Sequence, residues 1–234
     1  MKNVLCKLVV LPGSNPDESV RPYYERAYTH WESVWGATFQ ELDGKSRIFS
    51  DNFTRQHEIH ALFEDLNCVA MCGLRYYDFR TTTPRKDSYF EAWSEDALDQ
   101  LVRYGKRVVI ASNLSIDPNR RGREATGGQY NLKDLIIATT LRRIGELEID
   151  AMTGTMRVDK NMQGLIYQAG GVPIQREVIY HNVPVDLLAV HPLRKKPLLP
   201  SGLDEMTQEL WDNARGTGPL DHLLLPKTAA RRVA

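Results

Sequence analysis

The segment from Arg107 to Leu147 constrains the fold more than any other part of this 234-residue chain. It opens with an apolar, β-branched run that predicts a buried strand, which Asp117 and Pro118 end. It closes with a long apolar stretch that predicts a helix, with Asn131 as N-cap and Asp134 three residues later. Apolar residues recur around the whole helix, so we expect it to be covered on more than one side.

The turn between this strand and this helix is basic and contains glycine. Arg120, Arg121 and Arg123 flank Gly122 just before the helix begins. The start of a helix carries free N–H groups and a partial positive charge, so the turn can bind an anion, and phosphate is the one we expect. A solvated basic loop is the alternative interpretation of this short sequence.

Composition narrows the class of protein. Its 234 residues suit one large or two small domains, and a content of 42% hydrophobic and 26% charged residues is typical of globular proteins. Thirty basic residues balance thirty acidic ones, which argues against a general nucleic-acid-binding protein. Three cysteines, no secretory leader and no run of about 20 apolar residues predict a cytoplasmic protein without a membrane span. His57 and His60 lack the spacing of a zinc motif, so we expect no metal.

The remaining elements follow from periodicity and turn residues. The first helix should begin after Ser19, which can cap it, and end at Gly36. The predicted order along the chain is a strand at 4–11, a helix at 20–35, a hairpin over 58–79, a helix from 95, a strand at 107–116, a helix at 132–147, a strand at 148–155, a helix at 158–169, a hairpin over 175–191 and a helix at 203–214.

An aromatic stripe marks the first helix. Tyr28, Trp31 and Trp35 fall on one helical face. Such a stripe is most often part of the hydrophobic core. The alternative is that these rings line a wide apolar tunnel.

Up to about residue 191, this order resembles the GNAT acyltransferase fold, an α/β (α+β) architecture with a mixed, mostly antiparallel central sheet flanked by helices. Two local sequences carry the resemblance. SNLSIDPNRRG resembles the central strand and pyrophosphate loop of that superfamily, although Asn119 and Glu124 stand at the outer loop positions. LIYQAGGV resembles the later helix with its tyrosine. The resemblance implies a GNAT-like domain at 1–191, followed by a C-terminal helix and tail at 192–234.

Within the superfamily, the chain looks most like the N-acyl amino acid synthases and the acyl-homoserine lactone synthases. The aromatic first helix, the sequence GLR at 73–75 and the long insert before the central strand support this likeness. Ile110 and Asn113 replace the central-strand Glu and Arg of the lactone synthases, which favours the amino acid synthases. The resemblance implies transfer of a fatty acyl group from acyl carrier protein, or from acyl-CoA, to the amine of an amino acid. A small-molecule N-acetyltransferase that uses acetyl-CoA and a non-catalytic binding protein are the alternatives.

Amide formation from a thioester needs a neutral amine, a polarised carbonyl and a protonated thiol, and each need has a candidate. We expect a backbone N–H among Leu114, Ser115 and Ile116 to polarise the carbonyl. Glu58, or Glu64 on the same strand face, could serve as the base, and Tyr167 could protonate the leaving thiolate. The donor phosphate is assigned to Arg120, Arg121, Gly122 and Arg123, and the acyl chain to Tyr28, Trp31 and Trp35.

An acidic carrier protein should dock on a basic surface. Arg120, Arg121 and Arg123, with Lys106 and residues 194–196, form that predicted surface. The product or the basic tail could also touch a membrane surface.

Overall fold

A computed structural model of the chain describes residues 6–45, 47–122, 130–216 and 218–224. Arg123 and Glu124 lie outside these residues. The strands are β1 (Lys7–Pro12), β2 (Glu58–Glu64), β3 (Asn67–Asp78), β4 (Arg107–Ile116), β5 (Ala151–Arg157), β6 (Val172–Tyr180) and β7 (Val183–Val190). The helices are α1 (Arg21–Asp43), α2 (Asp51–Thr54), α3 (Glu95–Leu101), α4 (Leu132–Ile144), α5 (Gly164–Gln168), α6 (Ser201–Asp212) and α7 (Asp221–Leu224).

The strands form one mixed sheet in the order β1-β2-β3-β4-β5-β7-β6. The pair β4–β5 is parallel, and the other neighbouring pairs are antiparallel. Both predicted hairpins form, as β2–β3 and as β6–β7. The predicted fold class, a mostly antiparallel sheet flanked by helices, is therefore confirmed.

Helices cover both faces of the sheet. On one face, α4 contributes seven apolar residues to a core that also contains residues of α5, α6 and α7. On the other face, α1 packs over β1, β2 and β3, and α3 packs over β4 and β7. The expectation that α4 would be covered on several sides is met because α6 packs on its outer side. The Asn131 side chain caps α4 as predicted, accepting a 2.8 Å hydrogen bond from the Asp134 N–H.

Helix α1 corrects one prediction. It continues through Gly36 to Asp43 and ends at Gly44, whose φ of 67° is the left-handed conformation that favours glycine. A glycine inside a helix costs only about 1 kcal/mol, which packing readily offsets. Val20, not Ser19, is the N-cap, and no side chain caps this end.

The segment between β5 and β6 also differs from expectation. Strand β5 runs on to Arg157, and α5 is a short helix that begins only at Gly164. The C-terminal residues pack into the main body, since Leu203, Leu210 and Leu220 are buried in the same core as α4. The domain boundary predicted at residue 191 stays a prediction.

Candidate active site

The parallel strands β4 and β5 separate at the centre of the sheet. They pair only from Val108 to Ile110 on β4 and from Ala151 to Thr153 on β5. Beyond these residues, β4 continues to Ile116 against β3, and β5 continues to Arg157 against β7. Each strand therefore presents backbone N–H and C=O groups to the gap between them, and such groups need partners.

A cavity of about 720 Å³ opens at this gap. Its walls are the splayed ends of β4 and β5, the C-terminal half of α1, the start of α4, and residues near α2 and β6. Small-molecule sites usually have volumes of about 300–1,000 Å³ and mostly apolar walls with a few polar groups. This cavity is the best candidate for a substrate site in the part of the chain that the structure describes.

Leu114, Ser115 and Ile116 line the cavity as predicted from the sequence. The register between β3 and β4 shifts here, because Asn113 and Leu114 of β4 lie opposite the single residue Cys72 of β3. Asn113 lies at this bulge with a φ of 56°, and its side-chain amide donates to the Asn52 carbonyl over 2.7 Å. A bulge redirects backbone groups near an active site, which suits the predicted role of this segment. That role stays a prediction.

Basic side chains lie near the start of α4. Arg121 and Gly122 line the cavity, together with Lys133 and Lys160. Arg120 does not line it and instead forms an ion pair with Glu64 at the surface. Arg123 falls outside the described residues. Of the predicted phosphate-binding arginines, Arg121 is therefore the one that the structure places at the cavity.

Glu58, the predicted base, is fully buried on the face of the sheet that α4 covers. Its carboxylate accepts hydrogen bonds of 2.9 and 3.0 Å from the Arg143 guanidinium, and His60 Nε2 lies 2.8 Å away. Burial alone would raise the pKa of Glu58, but the hydrogen bonds and charges of His60 and Arg143 outweigh it and lower the pKa to about 2. Glu58 does not line the cavity, so this geometry suits a structural ion pair better than a base.

Tyr167, the predicted acid, also lies outside the cavity wall. Its hydroxyl donates a 2.6 Å hydrogen bond to the buried Asp186 carboxylate. Burial and this carboxylate raise the pKa of Tyr167. Asp186 also accepts from the Glu177 N–H over 3.0 Å, so the pair connects α5 to the β6–β7 hairpin.

The three aromatic residues of α1 have different surroundings. Trp31 is 1% exposed and packs against Phe53 in the core. Tyr28 also contacts Phe53, and its hydroxyl donates to Glu32 over 3.0 Å. Only Trp35 lines the cavity. The apolar wall continues beyond Trp35 along α1 with Phe39 and Leu42.

Several polar cavity residues had no sequence signal. Arg55 follows α2, Glu91 precedes α3, and Tyr180 ends β6. Tyr89 also lines the cavity, and its hydroxyl lies beside Thr155 on the splayed end of β5. Burial raises the pKa of Tyr89. These residues come from separate loops and strand ends, so only the assembled fold reveals their proximity.

Neither a metal-binding cluster nor a membrane-spanning helix occurs among the described residues. The described residues contain no cluster of three or more His, Cys, Asp or Glu side chains that could hold a metal ion. Among the same residues, no helix has the length and apolar character needed to cross a membrane.

No protein-family model and no curated protein matches the sequence, whereas several solved structures match the fold. The CoA-dependent acyl-homoserine lactone synthase BjaI, solved with MTA, aligns over 92% of this chain and 94% of its own, with 14% identity and a TM-score of 0.56. The mosquito protein 'arylalkylamine N-acetyltransferase like 5b' aligns over 80% of this chain and 99% of its own, with 13% identity and a TM-score of 0.54. The AHL synthase LasI aligns over 81% and 91%, with 13% identity and a TM-score of 0.51.

At 13–14% identity these matches show a shared fold only. The shared fold agrees with the separation of the parallel strands β4 and β5 over a central cavity. The chain therefore has the GNAT fold of the acyltransferase superfamily that its sequence resembles.

Proposed function

We propose that this protein is an N-acyltransferase that moves a fatty acyl group from a phosphopantetheine thioester to the amine of an amino acid. The separation of β4 from β5 over the apolar cavity is the observation that carries the proposal. Pantetheine contains two amides, and the unpaired strand edges can hydrogen-bond them as another strand would.

The donor's phosphate fits the basic end of the cavity. Arg121, Lys133 and Lys160 supply positive charge there, and α4 begins beside them. Lys133 Nζ also donates to the Asn161 carbonyl over 2.9 Å, which holds its side chain near this site. Coenzyme A and the prosthetic group of acyl carrier protein both carry phosphate next to pantetheine, so these residues would serve either donor.

A long acyl chain fits better than an acetyl group. Trp35, Phe39 and Leu42 extend the apolar wall over about two turns of α1. An acetyl group would leave most of this wall in contact with water, whereas a fatty chain would cover it and gain the free energy of apolar burial.

In the proposed reaction, the neutral amine attacks the thioester carbonyl. The C–N bond forms as the C–S bond breaks, and the departing thiolate takes up a proton. Counting from the ammonium form of the acceptor, one further proton is released to solvent. Backbone N–H groups among Leu114, Ser115 and Ile116 would stabilise the developing oxyanion. Tyr89 joins Tyr167 as a candidate proton donor, because the residue lines the cavity and its buried hydroxyl has a raised pKa that keeps it protonated.

Mass spectrometry of reaction products tests this function. Purified protein is incubated with the standard amino acids and with acyl thioesters from acetyl to palmitoyl, each on coenzyme A and on acyl carrier protein. We expect long-chain N-acyl amino acids. Acetylated products alone would favour a small-molecule N-acetyltransferase, and no amide from any donor would favour a binding protein that shares the fold.

A further inference from the structure

One arginine of the cavity wall is held in place without a counter-ion. Arg55 is half-buried, and one outer guanidinium nitrogen donates to Ser88 Oγ over 3.4 Å. The other outer nitrogen donates to the Asn52 side chain. The Nε atom is buried and has no hydrogen-bond partner within the described residues. The guanidinium is thus fixed by neutral groups only.

Asp87 is close enough for the charge of Arg55 to help lower its pKa, but its carboxylate is already bound by other groups. Asp87 precedes Ser88, but it forms a 2.9 Å ion pair with Arg75 and accepts a 2.5 Å hydrogen bond from the Tyr77 hydroxyl. In the described part of the chain, Arg55 forms no ion pair with any carboxylate. A half-buried guanidinium without a direct ion pair has lost solvation, and a carboxylate ligand would compensate for this loss.

A negative charge lines the same cavity. Glu91 belongs to the wall and, within the described residues, makes no ion pair with Arg55 or with another cation. Burial raises the pKa of Tyr180, and both charges lie close enough to its hydroxyl to act on it as well, since Glu91 raises the pKa further and Arg55 lowers it. Asp43 also raises it, but Asp43 is bound by His181 over 2.7 Å and by Lys45 over 3.3 Å. Away from the basic end of the cavity, which Arg121, Lys133 and Lys160 form, the wall therefore carries a cation and an anion that both act on the Tyr180 hydroxyl and, within the described residues, form no ion pair.

We infer that Arg55 binds the carboxylate of the acceptor and Glu91 binds its amino group, so that the acceptor is an α-amino acid rather than a simple amine. A zwitterion carries these two charges on adjacent groups and can bridge them, whereas an amine without a carboxylate leaves Arg55 without a counter-ion. This inference rests on the proposed function, because it assigns the two residues that bind the acceptor in the same cavity.

Calorimetric titration of the purified protein, with coenzyme A present, tests the assignment. Each standard amino acid is compared with the amine that lacks its carboxyl group, in wild type and in Arg55→Gln. We expect wild type to bind at least one amino acid about tenfold or more tightly than the matching amine. Arg55→Gln should weaken binding of that amino acid by about 10- to 100-fold and change binding of the amine by less than about twofold.

Two further variants control the experiment. Arg21→Gln removes an arginine whose ion pair with Glu18 is exposed, and it should change neither affinity. Arg55→Lys keeps the charge but loses the planar pair of donors, so it should weaken amino acid binding less than Arg55→Gln does. A melting temperature for each variant shows that it is folded.

The outcomes separate this inference from the proposed function. Equal effects of Arg55→Gln on amino acid and amine, no effect on either, or no binding of any amino acid by wild type would overturn the assignment. The expected binding pattern without any acyl product would refute the acyltransferase but leave the amino acid site standing. Acyl transfer to amines and amino acids alike, unchanged in Arg55→Gln, would refute the amino acid site but leave the acyltransferase standing.

Discussion

Replacing Trp31 with alanine should destabilise this protein without changing which acyl chains it accepts. The indole is 1% exposed, and its ring centroid lies 5.6 Å from that of Phe53 and 5.7 Å from that of Tyr28. Its removal leaves a void in the core, at a cost of about 3–5 kcal/mol. For a chain of this size, each kcal/mol lowers the melting temperature by about 2–4 °C, so we expect a decrease of roughly 6–20 °C.

Trp35→Ala is the matched comparison, one helical turn further along α1. Trp35 is half-buried, contacts Phe39 with a ring separation of 5.4 Å and lines the cavity. Its removal should enlarge the cavity and shift the preferred acyl chain towards greater length. The loss of stability should be smaller than for Trp31→Ala, because less indole surface is buried in the folded state.

Both variants need two measurements, a melting curve and a profile of product yield against acyl length. The reasoning is refuted if Trp31→Ala changes the acyl profile at an unaltered melting temperature. It is also refuted if Trp35→Ala only lowers the melting temperature. Either result would contradict the structure, which places Trp31 in the core and Trp35 in the cavity wall.

Two predictions concern the sites that the sequence suggested for acid–base chemistry. Glu58→Gln removes the buried one of the two carboxylates, Glu58 and Asp221, that pair with Arg143, so urea unfolding should show a loss of about 3–5 kcal/mol. Because the pKa of Glu58 is lowered from 4.5 to about 2 in the folded state, its charged form stabilises wild type above pH 4.5, and this contribution disappears as the pH falls towards 2. Tyr89→Phe should lower kcat about 100-fold or more, whereas Tyr167→Phe should mainly lower stability, by about 1–3 kcal/mol, because it leaves Asp186 short of a donor.

Each of these predictions has a control. Glu64→Gln breaks only the surface ion pair with Arg120 and should cost about 0–1 kcal/mol. A loss of activity in Glu58→Gln at unchanged stability would restore Glu58 as the base. A large fall in kcat for Tyr167→Phe, with none for Tyr89→Phe, would return the role of acid to Tyr167.

The sequence alone specified the features that depend on neighbouring residues. The β-branched run of β4, the Asn131 cap and the β2–β3 hairpin were predicted correctly, because local backbone preference and side-chain periodicity determine them. The order of these elements was enough to indicate the GNAT fold. Gly36 misled the prediction because its low helix propensity is a local cost, and the packing of α1 offsets it.

The tertiary structure decided how the candidate residues are used. Glu58 bonds to Arg143, 85 positions later in the chain, and Tyr167 bonds to Asp186 across two elements. Arg55 and Glu91 come from separate segments, and the fold places both in the cavity wall. A side chain's charge, exposure and partners depend on which elements the sheet brings against it, and pairings over such sequence distances leave no periodic signal along the chain.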